Sequence, residues 1–224
     1  MRTPENPKKG IAKMNIPVGV ILAGGKATRL GGGDKGRLML GQHSLFDHVI
    51  HRLRPQVSSI ILNANGPKDR FSDLNLPVVA DSLPCHPGPL AGILAGLEWA
   101  YAHGADHIVS VAADTPFFPK DLVKIFLTQA ESMETPLILA ATMGEAGKIL
   151  RQPTFGLWPV ALRDDLRKNL ENGLRKVVLW TDKHGGREAI FEADEMDPFF
   201  NVNTREDLLQ AQGLLPKEKV GGST

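Results

Sequence analysis

Short apolar runs alternate along the chain with stretches that repeat every three to four residues. Residues 18–22 (VGVIL), 59–62, 76–80, 107–112, 136–142, 151–158 and 187–191 read as strands, each bounded by turn residues. Between them, Leu45, Val49, Ile50 and Leu53 line one helical face, with Ser44 and Asp47 in capping-box spacing before it and Pro55 after it. Further helices are expected over 90–103, from Pro119 through Leu127, over 160–170 and 174–180, and after Thr204, where Asp207 completes a second capping box. Strand and helix in alternation predict an α/β fold: a three-layer, Rossmann-like, mostly parallel sheet with helices on both faces and its ligand cleft at the strands' carboxyl ends. The length suits a single domain over 16–215, between polar tails at 1–15 and 216–224.

Composition narrows the function without naming it. Hydrophobic residues make up 42% and charged residues 23%, ordinary for a chain that buries a core. With 26 basic and 25 acidic residues the formal charge is +1, which argues against a nucleic-acid or anionic-membrane surface as the main partner. Cys85 is the sole cysteine, so no intrachain disulfide or multi-cysteine zinc site forms, and a reducing cytoplasm fits. The opening residues lack an apolar core of the secretory kind, and no run of 18 apolar residues follows, so neither secretion nor membrane insertion is expected.

Candidate chemistry gathers after the first strand. Ala23-Gly24-Gly25 carries nothing larger than a methyl group, so backbone N–H groups there can approach an anion closely, and Lys26, Arg29 and Lys35 add three cations within ten residues. An oligophosphate is the guest these features suit. The segment is not a P-loop, because no Gly-Lys precedes Ser or Thr, and Gly31, Gly33 and Gly36 match G-x-G-x-x-G too far beyond the strand for a dinucleotide fingerprint. Asn63 and Asp114 also fall at strand ends, where an amide suits a base or ribose and a hard oxygen donor suits phosphate-bound magnesium. Their plain alternatives are a turn residue and a helix cap. Asp81 is followed by a proline-rich loop, SLPCHPGP, ahead of the helix from Leu90, and the adjacent Cys85 and His86 lack the further ligands a metal site needs. Asn201 and Asn203 face one way if Val202 is extended. No G-x-S-x-G elbow, H-E-x-x-H helix or carboxylate pair is present.

The stretch LAGG-K-A-T-R-L-GGG-DKG resembles the signature of nucleotidyltransferases with the nucleotide-diphospho-sugar transferase fold, and its Asp34-Lys35-Gly36 ending resembles molybdenum cofactor guanylyltransferases in particular. The Asp81 loop with Pro87-Gly88-Pro89-Leu90-Ala91-Gly92 and the Asn201-Val202-Asn203-Thr204 segment resemble the family's later motifs, while Gln152 stands where members often carry His. The resemblance implies transfer of GMP from GTP to the terminal phosphate of molybdopterin, with release of pyrophosphate. It implies that Leu22, Ala23, Gly24, Gly25 and Lys35 bind the triphosphate, that Asn63 and Asp81 contact the guanosine, that Asp114 holds Mg²⁺, and that Asn201 and Asn203 lie on the pterin side. Lys35 and Asp114 are then the catalytic pair. GTP and molybdopterin are the expected substrates, with other molybdenum-cofactor biosynthesis proteins and acceptor molybdoenzymes as further partners. Gly25 and the D-K-G ending favour guanylyl over cytidylyl transfer, since cytidylyltransferases of this kind more often carry Ala-Ala-Gly after the first strand. A sugar-1-phosphate nucleotidyltransferase and a non-catalytic nucleotide-binding module remain the alternatives.

Overall fold

In the computed structural model, described for residues 14–24, 33–84, 88–193 and 196–215, seven strands form one sheet. They are β1 (Val18–Leu22), β4 (Ile60–Asn63), β5 (Val78–Val79), β6 (His107–Ala112), β7 (Ile138–Met143), β8 (Ile149–Pro159) and β9 (Arg187–Phe191), and their spatial order is β5-β4-β1-β6-β8-β7-β9. All neighbours run parallel except β8, which is antiparallel to both β6 and β7. A two-stranded hairpin, β2 (Met39–Leu40) with β3 (His43–Ser44), stands apart. Both tails, Gly25, Lys26, Arg29, Cys85 and His86 lie outside the described residues, apart from Met14 and Asn15 of the first tail.

Side-chain alternation along the strands divides the core into two layers. Ile21, Val109, Val111, Ile138 and Ala140 project to one face, where they pack against α1 (Leu45–Leu53) and α3 (Leu122–Ala130). Val20, Ile61, Ile108, Leu137 and Leu139 project to the other, beneath α2 (Pro89–Ala102), α4 (Arg163–Glu171) and α5 (Val177–Lys183). Ser110, fully buried in β6, accepts from Trp158 Nε1 at 2.8 Å and donates to the Thr154 carbonyl at 2.8 Å, so its burial leaves no unmet hydrogen bond.

Element type is as the periodicity indicates, and the boundaries move where proline or a turn intervenes. β5 is confined to two residues on the sheet edge, with Pro77 contributing only its carbonyl to Leu62 N–H. Pro119 closes a turn onto Leu122 instead of starting α3. Residues 160–162 wind as a 3-10 turn, so α4 and α5 each begin about one turn later than the pattern suggests. β8 is longer than expected, and its register against β7 jumps from Gly156 to Gln152, across Pro153.

Two local devices hold the strand-end loops. Residues Lys35–Arg37 make a 3-10 turn whose buried Gly36 lies flat on the Phe46 ring of α1: a Cβ at that position would stand 2.4 Å from Cζ. α6 (Arg205–Gly213) starts with a complete capping box, in which Thr204 Oγ1 accepts from Asp207 N–H at 3.1 Å and the Asp207 carboxylate accepts from Thr204 N–H at 2.8 Å. The Asp207 carboxylate also accepts from Asn203 N–H at 2.8 Å, and that bond is the main reason its pKa lies below the ordinary aspartate value.

Because Phe46 is fully buried and has no room to withdraw, Gly36→Ala is expected to lower unfolding free energy by about 1–3 kcal/mol, measured by denaturant titration. A variant as stable as the parent would show that the turn moves off the ring at no cost. Thr204→Ala is expected to cost about 1 kcal/mol in the same titration, and an unchanged midpoint would show the cap to be dispensable.

Candidate active site

The central position of β1 brings three strand ends side by side. Leu22 is in register with Asn63 of β4 on one side and with Ala112 of β6 on the other. One step further, Ala23 N–H donates to the Asn63 carbonyl at 2.9 Å and Ala113 N–H to the Leu22 carbonyl at 3.1 Å. Leu22, Ala23 and Gly24 therefore emerge between Asn63 and Asp114, at the strands' carboxyl ends. Ala23's N–H is committed to this ladder, so Gly24 is the first residue beyond it. Among the described residues nothing comes within 4 Å of the place a Gly24 side chain would take.

On the β6 side, Lys35 Nζ lies 3.2 Å from Asp114 Oδ2 and donates to Asn203 Oδ1. Both partners of the ion pair are about four-fifths buried, with side chains 18% and 21% exposed. The three groups come from distant parts of the chain, and each is held separately. Lys35 is fixed by the Gly36 contact with Phe46, and Asn203 by the Asp207 cap. Asp114 is fixed by its own carbonyl, which accepts from Val202 N–H at 2.8 Å. Val202 points into a small core with Leu40, Leu45 and Ala211, so Asn201 and Asn203 turn together to the outside, as extended backbone requires. Asn201 Oδ1 accepts from the Thr115 hydroxyl, which ties it to the residue after Asp114.

On the β4 side, Asn63 is buried at 5% exposure and donates through Nδ2 to the Val79 carbonyl at 3.2 Å and to Asp81 Oδ1 at 2.9 Å. Its carbonyl end rests against α2, where a Cβ on Gly92 would stand 2.2 Å from Oδ1. Asp81 Oδ2 accepts from Asn65 Nδ2 at 2.7 Å. Polar groups thus flank the β1 end on both sides, with Asp81 and Asn63 on one and Asp114, Lys35, Asn203 and, through Thr115, Asn201 on the other. The pattern gave no site role to Asn65, Gly92, Thr115 or Asp207, although Gly92 falls in the proline-glycine motif and Asp207 in the second capping box. The N-A-N spacing was the available signal for Asn65, since alternate residues past a strand share a side; what Gly92 does is legible only from the contact it permits.

Asp114 is a lone hard-oxygen donor: no group of three or more His, Cys, Asp or Glu among the described residues is placed to hold a metal ion. That donor set does not suit a metal cage built from protein ligands. It fits an octahedral cation that brings most of its ligands as phosphate oxygens and water.

Comparison with known proteins identifies the family. Residues 19–185 match the family model of the MobA-like NTP transferase domain. The molybdenum cofactor guanylyltransferase of Bradyrhizobium sp. (strain ORS 278) is 45% identical over 203 residues, covering 89% of this chain and 93% of the relative. That of Cereibacter sphaeroides is 44% identical over 201 residues, covering 89% and 97%. Among solved structures, molybdopterin-guanine dinucleotide biosynthesis protein A from Archaeoglobus fulgidus superposes with a TM-score of 0.67 at 21% identity, over 88% of this chain and 97% of that one. A CMP:2-keto-3-deoxy-manno-octonic acid synthetase complexed with CTP superposes with a TM-score of 0.68 at 14% identity, over 89% and 98%; these two share the fold. A likeness at this identity over 89% of the chain means that it belongs to the MobA-like NTP transferase family and, within it, to the molybdenum cofactor guanylyltransferases.

Proposed function

We propose that this protein transfers GMP from GTP to the terminal phosphate of molybdopterin and releases pyrophosphate. The observation that carries this reading is the meeting of Lys35, Asp114 and Asn203 beside the β1 end, in a chain 45% identical to a molybdenum cofactor guanylyltransferase. An oxygen of the acceptor phosphate attacks the α-phosphorus of GTP, and the bond from that phosphorus to the pyrophosphate oxygen breaks. Such a displacement asks the protein for position and charge neutralisation and for no nucleophile of its own, in keeping with the lack of nucleophile motifs.

In this reading the triphosphate lies across Leu22, Ala23, Gly24 and Gly25. Gly24 and Gly25 supply backbone N–H groups, and Leu22 and Ala23 form the wall beneath, since the Ala23 amide is engaged in the sheet. Asp114 would hold Mg²⁺, which when bound neutralises charge on the phosphates. Lys35 exchanges Asp114 for a phosphate oxygen and stabilises the charge that grows on the leaving pyrophosphate. Asn63 and Asp81 flank the guanosine, and Asn201 and Asn203 border the pterin side. Before nucleotide binds, the Lys35–Asp114 pair keeps each charge partnered, so neither faces the cleft alone. Delivery of the product to acceptor molybdoenzymes, exchange with other cofactor-biosynthesis proteins and a cytoplasmic location belong to the same proposal. The single cysteine supports that location, and no helix among the described residues is long and apolar enough to cross a membrane.

Pyrophosphate release, measured with molybdopterin, Mg²⁺ and each nucleoside triphosphate in turn, tests the reading. GTP should be turned over well above CTP, ATP and UTP; equal or greater turnover of CTP would replace guanylyl by cytidylyl transfer. A charge-assisted contact contributes about 1.5–3 kcal/mol, so Lys35→Ala should reduce kcat/KM by roughly ten- to hundredfold, and a parent-like rate would remove the lysine from the reaction. Asp114→Asn should abolish activity at millimolar Mg²⁺ or displace the magnesium titration to much higher concentration. An unchanged titration curve would take Asp114 out of the metal site.

A further inference from the structure

The Asp81 carboxylate is held from both ends. Oδ1 accepts from Asn63 Nδ2 at 2.9 Å and Oδ2 from Asn65 Nδ2 at 2.7 Å. Asn65 also closes the loop in the reverse sense, its Oδ1 accepting from Asp81 N–H at 2.9 Å. An ionised carboxylate offers about four lone-pair positions, so after these two amide contacts one position on each oxygen remains. Two parallel acceptors match the adjacent N1–H and N2–H₂ donors of guanine, and no other common base presents that pair on one edge.

Asn65 is itself anchored to the phosphate side of the cleft. Arg70 donates to the Asn65 carbonyl at 2.6 Å, and its Nε lies 3.2 Å from Asp34 Oδ2, the residue directly before Lys35. The guanidinium rests on the Phe71 ring, 4.6 Å from its centroid, and the Arg70 carbonyl accepts from Arg37. Asp34, Arg70, Asn65 and Asp81 thus form one chain of charged and amide contacts from the D-K-G turn to the base-side carboxylate.

We infer that Asn65 and Arg70 are positioning residues for base selection. Asn65 sets the rotation of the Asp81 carboxylate toward the guanine edge, and Arg70 fixes the distance between that edge and the Lys35 turn. The inference rests on the guanylyl-transfer reading and deepens it. It assigns guanine preference to the angle at which Asp81 is held, so truncating Asn65 should relax base choice even though Asp81 remains.

Steady-state kinetics of the full chain with GTP and with ITP, which lacks only the N2 amine, tests this. The parent should prefer GTP to ITP by about tenfold or more in kcat/KM, the scale of one charge-assisted hydrogen bond. Asn65→Ala should raise KM for GTP about tenfold and bring the GTP to ITP ratio toward one, with the KM for molybdopterin unchanged. Arg70→Ala should lower the same ratio and also reduce kcat, because Asp34 beside Lys35 loses its partner. The Arg70 side chain is 37% exposed, so its variant gives the ratio even if Asn65→Ala fails to fold. A parent-like ratio and KM in the folded variants would overturn the inference, as would a parent that prefers GTP to CTP yet uses ITP equally well. A parent that favours CTP would instead overturn the guanylyl reading itself.

Discussion

The whole arrangement depends on the register of β1 between its two parallel neighbours. Leu22 is level with Asn63 and with Ala112, so three chains leave the sheet at the same height and in the same direction. Parallel strands carry their connections over the faces, which leaves the space above their carboxyl ends to loops. Shifting β1 by one residue would reverse the faces of Val20 and Ile21, each fully buried in a different layer, so the two cores lock the register. The position of the cleft is therefore a consequence of hydrophobic packing far beneath it.

Upon that frame the cleft adds charge sparingly. A chain with a formal charge of +1 relies on local charge to attract a triphosphate. Among the described residues, the β6 side of the cleft offers Lys35, mostly buried, in contact with the Asp114 carboxylate and the Asn203 amide. In a partly desolvated site each such group counts for more than it would at the surface, and the supports around them are a glycine lying on Phe46, the Thr204–Asp207 capping box, and a backbone hydrogen bond from Val202. The same economy holds at the end of β4. There two asparagines orient one aspartate, and Gly92 leaves the space that Asn63 occupies.

Much of this was legible in the sequence, for reasons that can be stated residue by residue. The strands at Val18–Leu22, His107–Ala112 and Arg187–Phe191 have the bounds their apolar runs suggest, and both capping boxes form as Ser44 with Asp47 and Thr204 with Asp207 imply. Local chemistry decides such features, so a one-dimensional pattern carries them. The antiparallel sense of β8 was not legible, because a strand's direction is set by its partners and leaves no mark on its own residues. Nor was the contact between Lys35 and Asp114, separated by 79 positions. Asp34-Lys35-Gly36 drew attention for its cation, whereas its glycine answers to a packing requirement that only the nearby Phe46 ring discloses.

The central claim is that a metal-bound triphosphate sits above the end of β1, between Gly24 and Asp114. Crystals grown with GTP and Mn²⁺ in place of Mg²⁺ test it most directly, through the anomalous signal of the manganese. The account predicts a peak within coordinating distance of an Asp114 carboxylate oxygen, with phosphate oxygens completing the shell and Lys35 turned from Asp114 to a phosphate. A triphosphate bound away from the β1 end, or a manganese peak that does not touch Asp114, would contradict it.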